Sequence, residues 1–399
     1  MTDPSIHTDP VVITGMGIIS ALGGSAAESL KGLSQGGKPP ASPEIPGCTV
    51  TKPSFAAHLP GCRNTDKGRT LALAGHALDQ AVKQACFDET MGKRTGVCAG
   101  TTVASQLNDI EFYSQYRNGT VASYDAVHRY LAGNPAEALK RDYGLGGPAM
   151  TIVNACSSGT DAVGTAMAWL ANGRCDTVIA GGADELNRVP LAGFNALGIL
   201  SDSPCRPFDA GRDGLNLGEG SAFLVLERLS SAKARGAEPI AECRAYATAS
   251  DAYHLTSPRP DGAGLETAVA KALNRAGISR DRIDFINAHG TGTRTNDQTE
   301  GLVFAKLFGK TSKIFSTKGY TGHTLGAAGA IESVLTVLSL DRQWLPANKG
   351  YTEFDETVGI RPVEKEQAVE AEYAMSTSLA FGGMNSVLIF KRYDSENYR

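Results

Sequence analysis

The feature that most constrains the fold is a unit of strand, small-residue turn and long helix that occurs twice. An apolar run over residues 150–153 leads into Ala-Cys-Ser-Ser-Gly, and a helical stretch follows to about residue 172. In the second half, a strand at 314–317 leads into a glycine-rich turn and a helix at about 325–340. Short apolar runs alternate with helical patterns elsewhere, so the sequence predicts a layered α/β fold with buried sheets.

Length and composition are those of an ordinary globular enzyme. The 399 residues suffice for two similar halves, with 42% hydrophobic and 20% charged residues. A net charge of −4 argues against a general nucleic-acid surface. No apolar run is as long as a membrane span, and the N-terminus lacks the pattern of a secretion signal. We therefore expect a cytoplasmic protein with reduced thiols and no membrane span.

One cysteine stands apart from the others. The eight cysteines form no CxxC pair, which gives little support for a zinc site. Most isolated cysteines are small buried hydrophobes, but Cys156 precedes a helix, where free N–H groups and the helix dipole favour a thiolate. Two motifs follow later, Asn-Ala-His289-Gly-Thr-Gly-Thr and Lys318-Gly-Tyr-Thr-Gly-His323. One thiol with two such histidines suggests thioester chemistry.

These motifs, in their order along the chain, resemble those of the β-ketoacyl-acyl-carrier-protein synthases, condensing enzymes of the thiolase-like superfamily. The similarity extends from Val12-Ile-Thr-Gly-Met-Gly to Phe381-Gly-Gly-Met-Asn. A cysteine with two histidines is typical of the elongating Cys-His-His class. The resemblance implies an α/β, five-layer αβαβα fold of two pseudo-repeated halves. The nucleophile would lie in residues 10–238 and both histidines in residues 239–393.

The resemblance implies a decarboxylative Claisen condensation. Cys156 would carry the acyl chain as a thioester, and malonyl thioester would lose carbon dioxide beside it. His289 and His323 would stabilise the resulting enolate, which attacks the acyl carbonyl and extends the chain by two carbons. The substrates would arrive on the phosphopantetheine arm of an acyl carrier protein. No metal, flavin or nicotinamide cofactor is therefore expected.

Further catalytic and substrate-binding residues follow from the same resemblance. Lys318 would organise the site electrostatically, and Glu332 would pair with it unless it forms an ordinary helix salt bridge. A glycine-flanked phenylalanine would gate malonyl entry, and its N–H with that of Cys156 would hold an oxyanion. Two threonines would bind the phosphopantetheine arm unless they only cap a loop. The substrate-binding residues in this prediction are Phe381, Gly382, Gly383, Thr291 and Thr293.

A carrier-binding patch is also expected. Because the carrier protein is acidic, basic residues should flank the mouth of the site. Arg63, Lys67 and Arg69 lie where family members place such residues, although Asp66 interrupts the cluster. An ordinary solvated face is the alternative.

Residues 101–135 differ most from housekeeping fatty-acid enzymes, and the resemblance places them at a dimer contact and the end of the acyl pocket. We interpret their polar aromatic residues as a lining for an unsaturated, aryl or keto-bearing chain, which favours a polyene or polyketide pathway. Ketosynthases of that kind often pair with a cysteine-less homologue, the chain-length factor, so we expect a homodimer or such a heterodimer. The residues concerned are Tyr113, Tyr116, Tyr124, His128 and Tyr130.

Two other classes remain as alternatives. A thiolase-like acyltransferase would share the nucleophile, but a degradative thiolase should carry a second catalytic cysteine near its C-terminus. The last cysteine here is Cys243. A non-catalytic partner with a condensing fold is disfavoured because Cys156, His289 and His323 are all present.

Overall fold

The computed structural model describes residues 9–42, 44–45, 47–59, 68–104, 110–132, 134–310 and 312–394. The strands are β1 Val11–Ile19, β2 Thr95–Gly100, β3 Ala149–Ile152, β4 Thr177–Asp184, β5 Gly220–Arg228, β6 Ala241–Ser250, β7 Phe285–Asn287, β8 Lys313–Phe315, β9 Trp344–Leu345, β10 Gln367–Ala368, β11 Tyr373–Ala380 and β12 Met384–Arg392. The helices are α1 Ala26–Ser34, α2 Arg69–Gln84, α3 Glu89–Gly92, α4 Ile110–Arg117, α5 Asp125–Ala132, α6 Pro135–Asp142, α7 Ser158–Ala171, α8 Arg188–Ala196, α9 Leu229–Ala234, α10 Ala263–Ala276, α11 Arg294–Phe308, α12 Lys318–Thr321 and α13 Ala328–Arg342.

Ten strands form one mixed sheet whose two halves have the same connectivity. The strand order is β3-β2-β4-β5-β1-β6-β12-β11-β7-β8. In the first half β2 is parallel to β3 and β4, and β5 is antiparallel to β4 and β1. In the second half β7 is parallel to β8 and β11, and β12 is antiparallel to β11 and β6. The predicted pseudo-repeat is therefore confirmed by topology, whereas its boundary at residues 238 and 239 stays a prediction.

The helices complete the five layers. α2 packs on β1 and β5 from one outer side, and α10 packs on β6 and β12 from the other. α7 and α13 lie between the half-sheets and contact strands of both. Because helices cover both faces of the sheet, β2 and β4 are buried along their whole length. The predicted αβαβα arrangement is confirmed.

The two central helices, α7 and α13, approach each other closely through small residues. A Cβ atom on Gly159 would lie only 2.8 Å from the backbone nitrogen of Ala330, and one on Gly329 would collide with Thr160 Oγ1. Large apolar residues such as Val163 and Ile331 fill the space further along the helices. This contact brings together the N-terminal ends of α7 and α13, which follow the third strand of each half.

Local differences from the sequence expectations have simple causes. The stretch after β4 is rich in turns but contains α8, which Asn187 caps by accepting a hydrogen bond from Val189 N–H. The helix expected from residue 325 starts at Ala328, because Leu325–Ala327 form a 3-10 turn with Leu325 at a φ of 53°. No helix in the described ranges has the length and apolar content to cross a bilayer.

Candidate active site

Cys156 occupies a tight turn between β3 and α7. Ala155, immediately before it, has a φ of 47°, in the left-handed region that few non-glycine residues adopt. The turn is held locally, since Asn154 N–H donates to Ser158 Oγ at 2.8 Å and Ser158 Oγ donates to Ala155 O at 2.7 Å. Cys156 is 5% exposed, and Ser157 is the N-cap of α7. The predicted position at a strand-to-helix junction is therefore correct.

A buried carboxylate fixes this turn from the helix side. Asp161 accepts hydrogen bonds from Ser157 Oγ at 2.8 Å and from Asn154 Nδ2 at 2.6 Å. Its other oxygen accepts one from Tyr246 OH at 2.8 Å. Since Tyr246 belongs to β6, the second half of the chain helps to hold the turn that carries the thiol.

His323 comes from the equivalent position of the second half, in the turn that leads to α13. Its backbone N–H donates to Asn216 O at 2.8 Å, and its carbonyl accepts from Gly218 N–H at 2.9 Å. These bonds tie the turn to the segment before β5. His323 Nε2 lies 3.0 Å from Cys156 Sγ, within hydrogen-bond reach.

His289 lies beside His323, and its orientation is set by Lys318. The two imidazole ring centroids are 5.2 Å apart, with the rings nearly perpendicular at 87°. Lys318 Nζ lies 3.2 Å from His289 Nδ1. Because an ammonium can only donate, Nδ1 is the acceptor and Nε2 carries the proton of the neutral ring. Lys318 therefore makes His289 an N–H donor at Nε2.

Lys318 is in turn paired with Glu332. The two side chains form a hydrogen-bonded ion pair in which both are almost fully buried. Burial raises the pKa of Glu332 to about 7, against the lowering influence of Lys318. This is a charge pair within the protein interior, which differs from an ordinary helix salt bridge at the surface.

The thiol and both imidazoles are uncharged in this site. Burial raises the pKa of Cys156 to about 12, although Lys318 and the backbone N–H of Phe381 act to lower it. Burial, followed by the charge of Lys318, holds the pKa of His289 and of His323 well below the usual value. The helix N-terminus was expected to favour a thiolate, and desolvation opposes that tendency. The geometry instead presents a neutral thiol to a neutral imidazole.

The loop that carries His289 is held by Glu300, whose side chain is fully buried. Its carboxylate accepts the backbone N–H groups of His289 at 2.9 Å and Gly290 at 2.7 Å. It also accepts hydrogen bonds from Asn296 Nδ2 at 2.8 Å and Thr377 Oγ1 at 3.0 Å. Glu300 thus acts as a support for the backbone and does not face the thiol.

Phe381, the predicted gate, and Cys156 line the same cavity. The backbone N–H of Phe381 acts to lower the pKa of the Cys156 thiol. Gly382 and Gly383 have φ values of 85° and 79°, a conformation that glycine adopts at little cost. Gly382 N–H donates to Leu255 O at 2.8 Å, so the glycine turn is tied to a second loop.

A cavity of about 210 Å³ opens onto Cys156, and both histidines line it. Thr291 and Thr293 also line it, and their hydroxyls lie 2.8 Å apart. Thr293 is the N-cap residue of α11 but makes no side-chain cap bond. Thr291 Oγ1 accepts a hydrogen bond from the backbone N–H of Thr293 at 3.3 Å, so Thr291 does cap its own loop. The arm-binding role of both residues stays a prediction.

The predicted carrier-binding residues are placed differently. Arg63 and Lys67 lie outside the described residues. Arg69 is largely buried: its Nε donates to Glu219 Oε2 at 2.7 Å, and its side chain is 16% exposed. Glu219 also accepts Leu186 N–H at 3.1 Å. The structure pairs the charge of Arg69 with Glu219 within the fold, which weighs against a role in carrier docking, and that role stays a prediction.

The polar aromatic residues also lie away from the cavity. Tyr113, Tyr116 and Tyr124 are 57%, 64% and 63% exposed, and His128 is exposed as well. The side chain of Tyr130 lies outside the described part. The cavity beside Cys156 is instead lined by Leu215, Leu379 and other apolar residues. Within a single chain, the described tyrosines do not line the acyl pocket.

Sequence reasoning missed Phe194, which lines the same cavity. It lies on α8. The spacing of Leu191, Phe194 and Leu197 after the N-cap Asn187 is the helical signal that could have found it. Its ring stacks on that of Phe381 with centroids 5.4 Å apart.

The site residues could in principle also hold a metal ion. Cys156 Sγ and one ring nitrogen each of His289 and His323 lie within 4.8 Å of one another. Among the residues that the structure describes, this is the one set of histidine, cysteine and acidic side chains so arranged. The same atoms form the thiol–imidazole pair described above, and the prediction that no metal is used stays a prediction.

A buried nucleophilic cysteine with two imidazoles, between the central helices of a five-layer α/β fold, defines an acyl-transferring enzyme of the thiolase-like class. Two family models match the chain: "Beta-ketoacyl synthase, N-terminal domain" over residues 8–232 and "Beta-ketoacyl synthase, C-terminal domain" over residues 240–352. This chain belongs to the β-ketoacyl synthase family.

Relatives cover nearly the whole chain. The 3-oxoacyl-[acyl-carrier-protein] synthase 2 of Staphylococcus aureus (strain COL) is 34% identical over 419 aligned positions, spanning 96% of this chain and 99% of that protein. The structure titled "The ishigamide ketosynthase/chain length factor" has a TM-score of 0.89 at 30% identity, covering 97% of this chain and 100% of that one. Ketosynthase ApeO from Xenorhabdus doucetiae, in complex with its chain length factor ApeC, has a TM-score of 0.83 at 32% identity, covering 98% and 100%.

Proposed function

We propose that this chain is an elongating β-ketoacyl-acyl-carrier-protein synthase in which Cys156 carries the growing acyl chain. The observation that carries this proposal is the 3.0 Å contact between Cys156 Sγ and His323 Nε2 at the base of the cavity. The ring of His289 lies 5.2 Å from that of His323. Nucleophile and base are thus in reach of each other, with a second N–H donor beside them.

The first step transfers the acyl group to the enzyme. His323 Nε2 accepts the thiol proton while Cys156 Sγ attacks the carbonyl carbon of the acyl-carrier thioester. The backbone N–H groups of Cys156 and Phe381 stabilise the oxyanion that forms. The carbon–sulfur bond to the carrier then breaks, and the released carrier thiolate takes the proton from His323. The products are the acyl-Cys156 thioester and the free carrier thiol.

The second step forms the new carbon–carbon bond. Malonyl thioester loses carbon dioxide, and the electron pair of the broken bond becomes an enolate. Nε2–H of His289, set by Lys318, donates a hydrogen bond to the enolate oxygen, and His323 donates a second one in the tautomer that carries its proton on Nε2. The nucleophilic carbon attacks the acyl carbonyl, the bond to Cys156 breaks, and the β-ketoacyl product leaves on its carrier. The Cys156 thiolate takes up one proton from solvent, which restores the thiol.

An acyl carrier protein is the proposed partner, because both substrates are thioesters on its arm. Thr291 and Thr293 supply hydroxyls for that arm at the cavity entrance. No further cofactor enters these steps. The described cysteines are all unpaired, which supports a reducing, cytoplasmic location.

We also propose that the enzyme acts as a dimer, with a second copy or with a chain-length-factor-like homologue. β3 is at the end of the sheet, and among the strands that the structure describes it pairs with β2 alone. Val153 beside it is 65% exposed, and Met150 on it is 42% exposed. An open edge with exposed apolar side chains favours pairing with another chain.

Two of the related structures carry a chain length factor in their titles, which supports a polyketide or polyene pathway over a fatty-acid one.

Intact-protein mass spectrometry tests the reaction. The protein is incubated with carriers that bear saturated, conjugated or aryl-unsaturated acyl groups, and malonyl carrier is then added. We expect a mass gain of one acyl group, its absence in Cys156→Ala, and a product longer by two carbons. Preferred loading of conjugated or aryl groups supports the specialised pathway, and saturated groups support fatty-acid synthesis. Absence of loading by every carrier, with and without a co-expressed homologue, would overturn the proposal.

A further inference from the structure

Phe194 connects the predicted gate with one of the two histidines. Its ring stacks on Phe381, with centroids 5.4 Å apart and planes inclined by 16°. The same ring meets the imidazole of His323 edge-on, at 6.5 Å and 88°. Both are favourable arrangements for aromatic pairs. One side chain thus contacts the gate and the group that lies 3.0 Å from the thiol.

The ring of Phe194 is held from behind. It packs on a cluster of buried leucines that includes Leu191, Leu200 and Leu215. Leu191 belongs to the same helix α8, and Leu215 lies in the segment before β5. Phe194 is therefore a fixed surface, whereas Phe381 is followed by two glycines in the left-handed region. When the gate moves, the stacked contact is the side-chain contact that has to break.

The gate and the thiol are also linked through the backbone. The backbone N–H of Phe381 acts to lower the pKa of the Cys156 thiol, so the gate interacts with the thiol through its backbone and with Phe194 through its ring. Acylation converts the thiol into a thioester and changes the first of these interactions. The stack on Phe194 is a second support that a chain without the ring would lack.

We propose that Phe194 is a positioning residue that holds Phe381 closed before Cys156 is acylated and so suppresses decarboxylation of malonyl carrier that has no acyl partner. This inference rests on the proposed function. Unprimed decarboxylation converts malonyl carrier and a proton into acetyl carrier and carbon dioxide, which wastes the extender. The order of the two substrates would therefore depend on an aromatic contact outside the Cys-His-His centre.

The test compares Phe194→Leu, which keeps an apolar side chain but no ring, with Phe194→Tyr, which keeps the ring. Three quantities are measured by mass spectrometry: acylation of Cys156, acetyl carrier formed from malonyl carrier alone, and condensation product. We expect Phe194→Leu to raise the ratio of unprimed decarboxylation to condensation roughly two- to tenfold, the range of an aromatic pair, with the extent of acylation measured alongside it. Phe194→Tyr should return the ratio to within about twofold of the wild type.

The outcomes separate this inference from the proposed function. An unchanged ratio of unprimed decarboxylation to condensation in Phe194→Leu, with Cys156 acylated in both the variant and the wild type, would overturn the role of Phe194. The proposed condensing activity would be unaffected by that result. A ratio raised equally in Phe194→Tyr would also overturn it, because the ring is retained. A wild-type protein that neither acylates nor decarboxylates would instead contradict the proposed function. Thermal unfolding of both variants checks that the fold is retained.

Discussion

At the scale of single residues, the site depends on how a few buried charges are paired. Lys318 and Glu332 are 1% and 2% exposed, and their charges compensate each other. The same ammonium lies 3.2 Å from His289 Nδ1 and selects the tautomer with the proton on Nε2. Lys318 also helps to lower the pKa of both imidazoles. One cation therefore controls the protonation of two groups without contacting the thiol.

We expect Lys318→Met to slow condensation and to shift the acid limb of the pH–rate profile to higher pH. Loss of the ammonium removes one cause of the low pKa of His289, so the pKa rises towards its usual value and more imidazolium forms near pH 6. An imidazolium stabilises the malonyl carboxylate that has to leave as carbon dioxide. The measurement is kcat between pH 5.5 and 8, at saturating malonyl carrier.

The double variant Lys318→Met/Glu332→Gln is the matched control for this prediction. It removes the unpaired buried carboxylate and should restore part of the lost stability, because an isolated buried charge is costly. It does not restore the donor to His289 Nδ1, so the rate should stay low. Recovery of the wild-type rate in the double variant would contradict the role of Lys318 in setting the tautomer.

Arg69 provides a prediction on stability. We expect Arg69→Ala to lower the free energy of unfolding by about 3–5 kcal/mol, because it leaves the buried carboxylate of Glu219 without its partner. Lys52→Ala breaks an exposed pair with Asp202 and should cost at most about 1 kcal/mol. Urea unfolding measures both. Unchanged stability in Arg69→Ala together with a raised KM for acyl carrier would restore the docking role that the sequence predicted.

At the scale of secondary structure, the active site is the meeting point of two equivalent units. α7 follows β3 in the first half and carries Cys156 before its first turn, and α13 follows β8 in the second half and is preceded by His323. The close contact at Gly159 and Gly329 brings both helix ends together. Small residues at this crossing are therefore part of the catalytic geometry.

We expect Gly329→Ala to destabilise the protein and to reduce kcat. The added methyl group would collide with Thr160 Oγ1, and overpacking of this kind costs about 1–3 kcal/mol. Relief of the collision would separate α7 from α13 and lengthen the contact between Cys156 and His323. Thermal unfolding and acylation rate are the measurements.

Gly75→Ala on α2 is the control for the helix-crossing prediction. A Cβ atom there meets no other atom within 4 Å, so the substitution should be neutral or stabilising by up to about 1 kcal/mol. Equal losses of stability in Gly75→Ala and Gly329→Ala would mean that the crossing is not specially constrained.

At the scale of the whole molecule, β3 is at one end of the ten-stranded sheet and has one partner strand among the described residues. Apolar residues at this edge and the tyrosines at positions 113, 116 and 124 are exposed in the single chain. In the proposed dimer, a second subunit that covers them could also contribute to the end of the acyl pocket that the tyrosines were predicted to line.

We expect Val153→Asp to convert a dimer into monomers, because it places a charge in the proposed contact at the β3 edge. Leu302→Asp on α11 is the control, since Leu302 is 48% exposed and lies in the other half. Sedimentation velocity gives the mass of each of the two variants, alone and after co-expression with a chain-length-factor-like homologue. A Val153→Asp protein that stays dimeric would place the interface elsewhere.

The fold class, the repeated unit, the thiol and the two histidines could be predicted from the sequence, because alternating apolar runs and short local motifs encode them. The use of the charges could not be predicted in this way. Arg69 was predicted to be part of a carrier-docking patch, but its side chain is 16% exposed and is paired with Glu219, a residue 150 positions away. The neutral thiol and the contacts of Phe194 likewise arise from elements distant in sequence. Burial and pairing depend on which segments pack together, and no local pattern encodes that.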